Sequence, residues 1–417
     1  MKKRFLTMVA LLLSLIMALG MVSFSALAEE PVEIRIMGYN TPDSRATWLA
    51  YIQEQLPEYK ITYEFVENAD FNQILTAQLV NGAGPDIIEG GGNTKLMANA
   101  GYLLDLTDQP FVAKYAQAGL AAYILDGKVW GTPMQSWFEG IFYNKAIFAE
   151  HGISVPKSLD EFIQVHKDLT AAGVKPQTMG ASSWEPMMKQ SIGVVNNMFY
   201  SDPANNDFDA GFNTGESKLA EGWLEGVTAW ARVIEEGCLT TDMLGMDYNQ
   251  AQAEFAAGGA AMWESGPWAE QPLLAANPDL DYGMFPIPGA EEGPGWLVGG
   301  PGSSLTINAN TKNLEGALKV LEVTATPEAQ AALIADNPGS SFLLGYSSEL
   351  GERYADCMDA FAAGNVYAPW VAVWAFGDGV VEPYGKSLQE LLAGTKTVAE
   401  ALADADRACA DLIDELK

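Results

Sequence analysis

The segment Gly258-Gly-Ala-Ala-Met-Trp-Glu-Ser-Gly-Pro-Trp268 sets two tryptophans beside one acid. An indole offers a flat apolar face for the C–H side of a sugar ring, and a carboxylate and free backbone groups offer hydrogen bonds to its hydroxyls. Five of the eleven tryptophans, Trp137, Trp184, Trp263, Trp268 and Trp296, adjoin turn residues rather than lying on periodic faces, and each is a candidate stacking plane. The alternative is that they are ordinary core residues. Trp223 and Trp230 recur with Val227 and Ile234 at helical spacing and read as core. Glu139 and Glu264 could form a carboxylate pair for glycoside hydrolysis, but in a chain with 54 acids such a pair is easily nominated, and the bland reading is favoured. There is no G-x-S-x-G elbow, no phosphate-binding P-loop, no G-x-G-x-x-G after the first strand and no H-E-x-x-H. Many tryptophans without a catalytic motif point to binding rather than turnover.

The elements that would position these residues follow from periodicity. Asn249 to Ala257 is helix-like, Gly258-Gly259 stops it, Ala260 to Trp263 has strand length, and Ser265-Gly266-Pro267 turns the chain. Trp268 therefore falls at the rim of a strand. Upstream, Val32, Ile34 and Ile36 alternate as in a strand, and Trp48, Leu49, Ile52 and Leu56 have helical spacing. Ile61, Tyr63 and Phe65 alternate again, Phe71, Ile74, Leu75 and Leu79 form a helical face with Asp70 as N-cap, and Asp86-Ile87-Ile88 is a short buried strand. This order predicts an α/β fold with a mostly parallel sheet and helices on both faces. Ligands on such sheets sit at the carboxyl ends of strands, here the loops 38–44 and 89–94, which carry Asn40, Asp43 and Asn93. Farther on, Ser158-Leu-Asp-Glu161 reads as a capping box, 196–216 as a polar surface excursion, and Thr326-Pro327 as a helix start. From Val398 onward the pattern is an amphipathic helix.

Residues 1–28 read as a signal peptide: Lys2, Lys3 and Arg4, then the apolar run Phe5 to Met21, then Ala26-Leu27-Ala28. No cysteine for a lipid anchor lies near the cleavage site, so a periplasmic or extracellular protein is expected. The net charge of −31 becomes three units more negative without the leader, which argues against nucleic acid and anionic membranes as partners. Three scattered cysteines and two histidines imply no disulfide framework and no metal site, and no cofactor is expected. The mature length of about 390 residues predicts two domains.

The chain resembles the extracellular solute-binding proteins of ABC importers, in the carbohydrate group that includes the maltose-binding protein. The likeness runs in order through Asn81-Gly-Ala-Gly-Pro-Asp-Ile87, Trp130-Gly-Thr-Pro133, Phe138-Glu-Gly-Ile-Phe-Tyr-Asn-Lys145 and Gly152-Ile-Ser-Val-Pro-Lys-Ser-Leu-Asp-Glu-Phe162. It continues with Gly258 to Met262, Gly266-Pro-Trp268 and Thr324-Ala-Thr-Pro-Glu-Ala-Gln330. The resemblance implies a two-lobe periplasmic-binding-protein fold (type II), each lobe a mostly parallel sheet flanked by helices, with the ligand cleft between them. Lobe one would be 29–138 plus 301–346 and lobe two 139–300 plus 347–417, with crossings near Trp137 to Gly140, Gly299 to Gly302 and Gly345 to Gly351. The glycine run would serve as a hinge through its dihedral freedom. Trp268 matches the family's sugar-stacking tryptophan after the Gly-Pro turn. A second stacking aromatic would be Trp370 or Trp374, with Trp374 preferred. Trp137 and Glu139 flank the first crossing, and Asn40, Asp43 and Asn93 are the natural hydroxyl partners. The implied protein is a monomer that captures a small solute, a mono- or oligosaccharide, and hands it to an ABC-transporter membrane permease, with no catalysis. The alternatives are a non-sugar solute such as a polyamine on the same fold and, remotely, a secreted glycosidase.

Overall fold

The alternation around Arg35 turns one face of the strand β1 (Val32–Gly38) inward, where Ile34 and Ile36 are fully buried. The structure is a computed structural model that describes residues 31–205, 207–346 and 350–415; the expected signal peptide lies outside them. β1 pairs in parallel with β2 (Tyr59–Phe65) and β3 (Ile87–Gly90). A hairpin of β4 (Ile124–Leu125) and β5 (Lys128–Val129) precedes β6 (Thr132–Pro133). The first sheet has the order β2-β1-β3-β12-β6, closed by the returning strand β12 (Ser304–Ile307). Trp48 and Ile52 of helix Ala46–Gln55 pack with Leu321 and Leu333 on one face. Phe71, Leu75 and Leu79 of helix Asn68–Val80 cover the other. That helix starts before the expected cap: Glu67 holds the N-cap position and Asp70 lies in the first turn, where its charge still suits the helix dipole.

The second sheet is built on β7 (Ser136–Asn144), the longest strand, in the order β10-β7-β9-β8, with β11 also on β7. Its members are β8 (Gln177–Thr178), β9 (Met262–Ser265), β10 (Tyr282–Phe285) and β11 (Val298–Pro301). Only β8 and β9 run parallel here, so the mostly parallel expectation holds for β2-β1-β3 and not for this sheet. β7 leaves the first lobe and β11 returns to it, so the two must run in opposite directions. Trp223 and Trp230 are core, as their spacing predicts, among helices Leu159–Ala171, Glu185–Val195, Leu224–Glu235, Asp378–Leu392 and Val398–Glu415. Ser158 caps its helix by accepting from Glu161 N at 3.2 Å, but Glu161 bonds Lys157 N instead of closing the box. Thr326 caps as expected. Residues 196–216 are not a plain excursion. A π-helical turn Asn196–Tyr200 and a helix Phe208–Thr214 form there because Phe199, Phe208 and Phe212 pack beneath the polar positions. All three cysteines are buried free thiols.

β7 and β11 make a two-stranded crossing in which Trp137 faces Gly300 and Phe138 faces Gly299. None of Gly299, Gly300 and Gly302 has a positive φ. What Gly299 and Gly302 supply is close approach. A Cβ at Gly299 would lie 2.3 Å from the Trp137 carbonyl oxygen, and one at Gly302 2.7 Å from that of Gln135, whereas Gly300 faces open space. Gly299→Ala is therefore expected to lower the melting temperature by several degrees and Gly300→Ala to leave it unchanged, as thermal denaturation of the two variants would read.

Candidate ligand-binding cleft

Side chains from the two lobes and the crossing converge on a cavity of about 530 Å³, a size typical of small-molecule sites. The loop after β1 brings Tyr39, Asn40 and Thr41, and the loop after β3 brings Gly91 and Gly92. Opposite them, helix Glu185–Val195 presents Trp184, Met188 and Lys189 from its first turns, the turn after β9 presents Trp268, and the short helix Pro369–Ala372 presents Trp370. The crossing supplies Ser136, Trp137, Glu139 and Ser303.

The wall formed by the crossing and the segments opposite the β1 and β3 loops is aromatic. The Trp137 ring lies 6.4 Å from that of Trp268 and 5.9 Å from that of Trp370, tilted by 54° and 58°. Trp268 is 39% exposed, and its Nε1 donates to the Tyr248 hydroxyl at 3.0 Å, which fixes the rim indole. Gly266 makes room for it, since a Cβ there would be 2.2 Å from the Trp268 ring. Beneath the indoles, Lys189 Nζ donates to Glu139 Oε1 at 2.6 Å and Glu185 Oε2 at 2.9 Å and lies 5.5 Å from the centre of the Trp137 ring. Burial works against the Lys189 ammonium, but Glu139 and Glu185 outweigh it, and its pKa is raised.

The wall of the first lobe is polar. Glu89 Oε1 accepts from Asn40 Nδ2 (2.7 Å), Arg45 Nε (2.9 Å), Arg45 Nη2 (2.6 Å) and Ser303 Oγ (2.9 Å). Its other oxygen accepts from the Tyr63 hydroxyl at 2.6 Å. Burial opposes the Glu89 charge, but Arg45 and the hydroxyl donors more than compensate and lower its pKa. The pair of charges is thus internally neutral, and it orients Asn40 toward the cavity edge.

Of the residues singled out in the sequence, Asn40, Trp137, Glu139, Trp184 and Trp268 line the cavity. The others do not. Asp43 is exposed on the turn Pro42–Arg45. Asn93 bonds Asn72 and the Gly91 amide and braces the loop from behind. Trp296 is half-buried in a loop whose backbone pairs with Ile287. Trp263 and Glu264 point to opposite faces of β9, and both are buried, Trp263 among Phe142 and Phe255. Trp374 packs into the core against Phe212 and Trp223, and Trp370 takes the place in the cleft. Tyr39, Arg45 and Lys189 are lining residues that sequence reasoning missed. The i,i+4 spacing of Glu185 and Lys189 was a usable signal for the last.

Glu264 is 4% exposed, and neither carboxyl oxygen has a hydrogen-bond partner among the described residues. It lies outside the cavity wall, so Glu139 and Glu264 do not flank a bound glycosidic bond as the hydrolase alternative requires. Burial raises its pKa well above the usual range, and the neighbouring Glu139 raises it further. A raised carboxyl pKa gives stability that is present below about pH 4.5 and lost as pH rises through the folded value. Glu264→Gln, which cannot ionise, is therefore expected to gain on the parent between pH 5 and 8, by at most about 1.4 kcal/mol per pH unit. Melting curves at the two pH values would check this, and a gap that stays constant would refute it.

Comparison with known proteins agrees with this geometry. The profile of the bacterial extracellular solute-binding protein family matches residues 40–331. The multiple sugar-binding protein of Streptococcus mutans is 26% identical over 275 residues, 65% of this chain and 65% of that relative's own length. Among solved structures, RafE from Streptococcus pneumoniae superposes with a TM-score of 0.74 at 20% identity over 92% of this chain and 99% of its own. A solute-binding protein RafE in complex with raffinose superposes with a TM-score of 0.71 at 21% identity over 92% of this chain and 100% of its own. A sugar transporter from Bacillus licheniformis in complex with stachyose gives a TM-score of 0.67 at 19% identity over 90% of this chain and 98% of its own. The structural likenesses establish the two-lobed fold, and the profile match over well over half of the chain establishes that it belongs to the bacterial extracellular solute-binding protein family.

Proposed function

We propose that this chain is the extracytoplasmic capture component of an ABC importer and that its ligand is a neutral saccharide. The observation that carries the reading is the pairing of an indole wall, Trp137, Trp268, Trp370 and Trp184, with a hydrogen-bonding wall across one cavity. A pyranose presents the same two chemistries, apolar C–H faces and a rim of hydroxyls. The names of the multiple sugar-binding relative and the raffinose- and stachyose-bound neighbours support it. The ligand docks on one lobe, rotation about the β7–β11 crossing brings the other over it, and contacts made only in the closed form favour that form. The closed monomer then docks on a membrane permease. Lobe one comprises 29–138 plus 301–346, lobe two the remainder of the mature chain, and residues 1–28 direct export.

A polyamine suits this cleft less well. Glu139 and Glu185 share Lys189, and Glu89 is neutralised by Arg45, so few carboxylates are left to hold a polycation. Refolded protein freed of bound ligand is expected to gain several degrees of melting temperature with raffinose, stachyose or maltose and none with spermidine. Ligand at 100 times its Kd adds about 2.7 kcal/mol. A shift with spermidine and none with any sugar would discard the saccharide assignment.

A further inference from the structure

Trp370 occupies the cleft from a four-residue helix, Pro369–Ala372, too short to hold a fixed place by itself. On its N-terminal side the chain is tied to the crossing, since Tyr367 N donates to Leu297 O at 3.2 Å. Gly299 N adds a longer bond to Tyr367 O at 3.4 Å, and further ties come from side chains of 196–213. Asn196 Nδ2 donates to Tyr367 O (2.9 Å), Asn213 Nδ2 donates to Val373 O (2.9 Å), and Ala375 N donates to Asn213 Oδ1 (2.7 Å). At the centre stands Asp209, 5% exposed on helix Phe208–Thr214. Its Oδ2 accepts from the Tyr367 hydroxyl at 2.5 Å, and its Oδ1 accepts from Trp374 Nε1 at 2.7 Å and from the Tyr200 hydroxyl at 2.6 Å. Tyr367 and Trp374 bracket Trp370 in sequence, three residues before it and four after, so one carboxylate fastens both ends of the segment that carries the cleft indole.

We propose that Asp209, a residue outside the cleft, is a positioning residue for Trp370 and through it sets ligand affinity. Hydrogen bonds to a buried carboxylate are strong, and three donors satisfy it. An amide in its place has one accepting oxygen and turns an N–H₂ toward donors, and the Trp374 indole can only donate. The ligand arm of this inference rests on the saccharide reading, and the fluorescence arm does not.

The test uses Asp209→Asn and the milder Tyr367→Phe, each in the parent and in a Trp370→Phe background. Without ligand, acrylamide quenching of the emission lost on Trp370→Phe reports the accessibility of that indole. It is expected to rise about threefold in Asp209→Asn and less in Tyr367→Phe. With raffinose, Asp209→Asn is expected to weaken binding about tenfold in the parent and less than twofold in the Trp370→Phe background, a non-additivity that marks action through Trp370. A merely structural role would lower the melting temperature alike in both backgrounds and leave the affinity losses additive. Unchanged quenching or additive losses would overturn the proposal. If Asp209→Asn does not fold, Tyr367→Phe carries the same two readouts. If the parent binds no sugar, the saccharide reading fails and quenching alone decides for or against Asp209.

Discussion

Trp268→Ala is expected to weaken raffinose binding by about 30-fold while leaving the unfolding free energy nearly unchanged. The indole stands at the rim, 39% exposed, with one hydrogen bond to Tyr248, so the folded protein loses little without it. The ligand loses more. An indole buries roughly 150–250 Å² when covered, and a ring lying on one face removes about 80 Å² from water. At about 25 cal/mol per Å² this is about 2 kcal/mol, or some 30-fold in Kd. Trp263→Ala is the contrasting case. Its ring packs 6.0 Å from Phe142 and 6.0 Å from Phe255 in the core, so its removal is expected to cost about 3–5 kcal/mol of stability. Calorimetric titration with raffinose and urea unfolding of both variants separate the two roles. Equal affinity losses would mean that Trp268 does not face the ligand.

Lys189→Met is expected to destabilise the protein by about 3–5 kcal/mol, the range for removing one partner of a buried ion pair. Lys189 is the one ion-pair partner of Glu139 among the described residues, and Glu139 is 4% exposed. Methionine fills a similar volume, so the loss is electrostatic and not a cavity. Burial already holds the Glu139 pKa above the usual carboxylate range against the pull of Lys189, and with the cation gone burial and the neighbouring Glu185 charge raise it further. Stability tied to a raised carboxyl pKa is present at low pH and lost as pH rises, so the variant should fare worse at pH 8 than at pH 5. Adding Glu139→Gln should restore part of the loss, because it removes the stranded charge. Urea unfolding at both pH values is the measurement. A deficit independent of pH and of Glu139 would show that Lys189 contributes packing alone.

Legibility in the sequence depended on whether a pattern was local. β1, the helix at 46–55, the Thr326 cap and the Gly258 stop are set by neighbours within a few residues, and each stands as its pattern predicts. The second sheet was harder, because the direction of β7 against β9, β10 and β11 is a matter of pairing across long separations. The aromatic wall was half legible. Turn-adjacent tryptophans include Trp137, Trp184 and Trp268, but the same criterion admits Trp263 and Trp296, since it does not say which face of a strand meets the cleft. The choice of Trp374 over Trp370 failed for a related reason: Asp209, distant in sequence, draws the Trp374 indole inward. The Arg45–Glu89 network was not legible at all, as its members come from four separate segments.

The second sheet is sealed by the last two helices of the chain. Tyr384 and Leu388 of Asp378–Leu392, with Leu402 and Ala405 of Val398–Glu415, enter the same core as Trp223 and Trp230. The first sheet, by contrast, has all of its strands once β12 ends at Ile307 and its covering helices by Asp336. A chain emerging N-terminus first can therefore finish one half while the other still waits for its lid, and contacts so remote in sequence form slowly. The order of synthesis thus leaves the indoles of the larger core exposed longest. Any loss of the final forty residues would spare the first half and strand the second as an aggregation-prone surface.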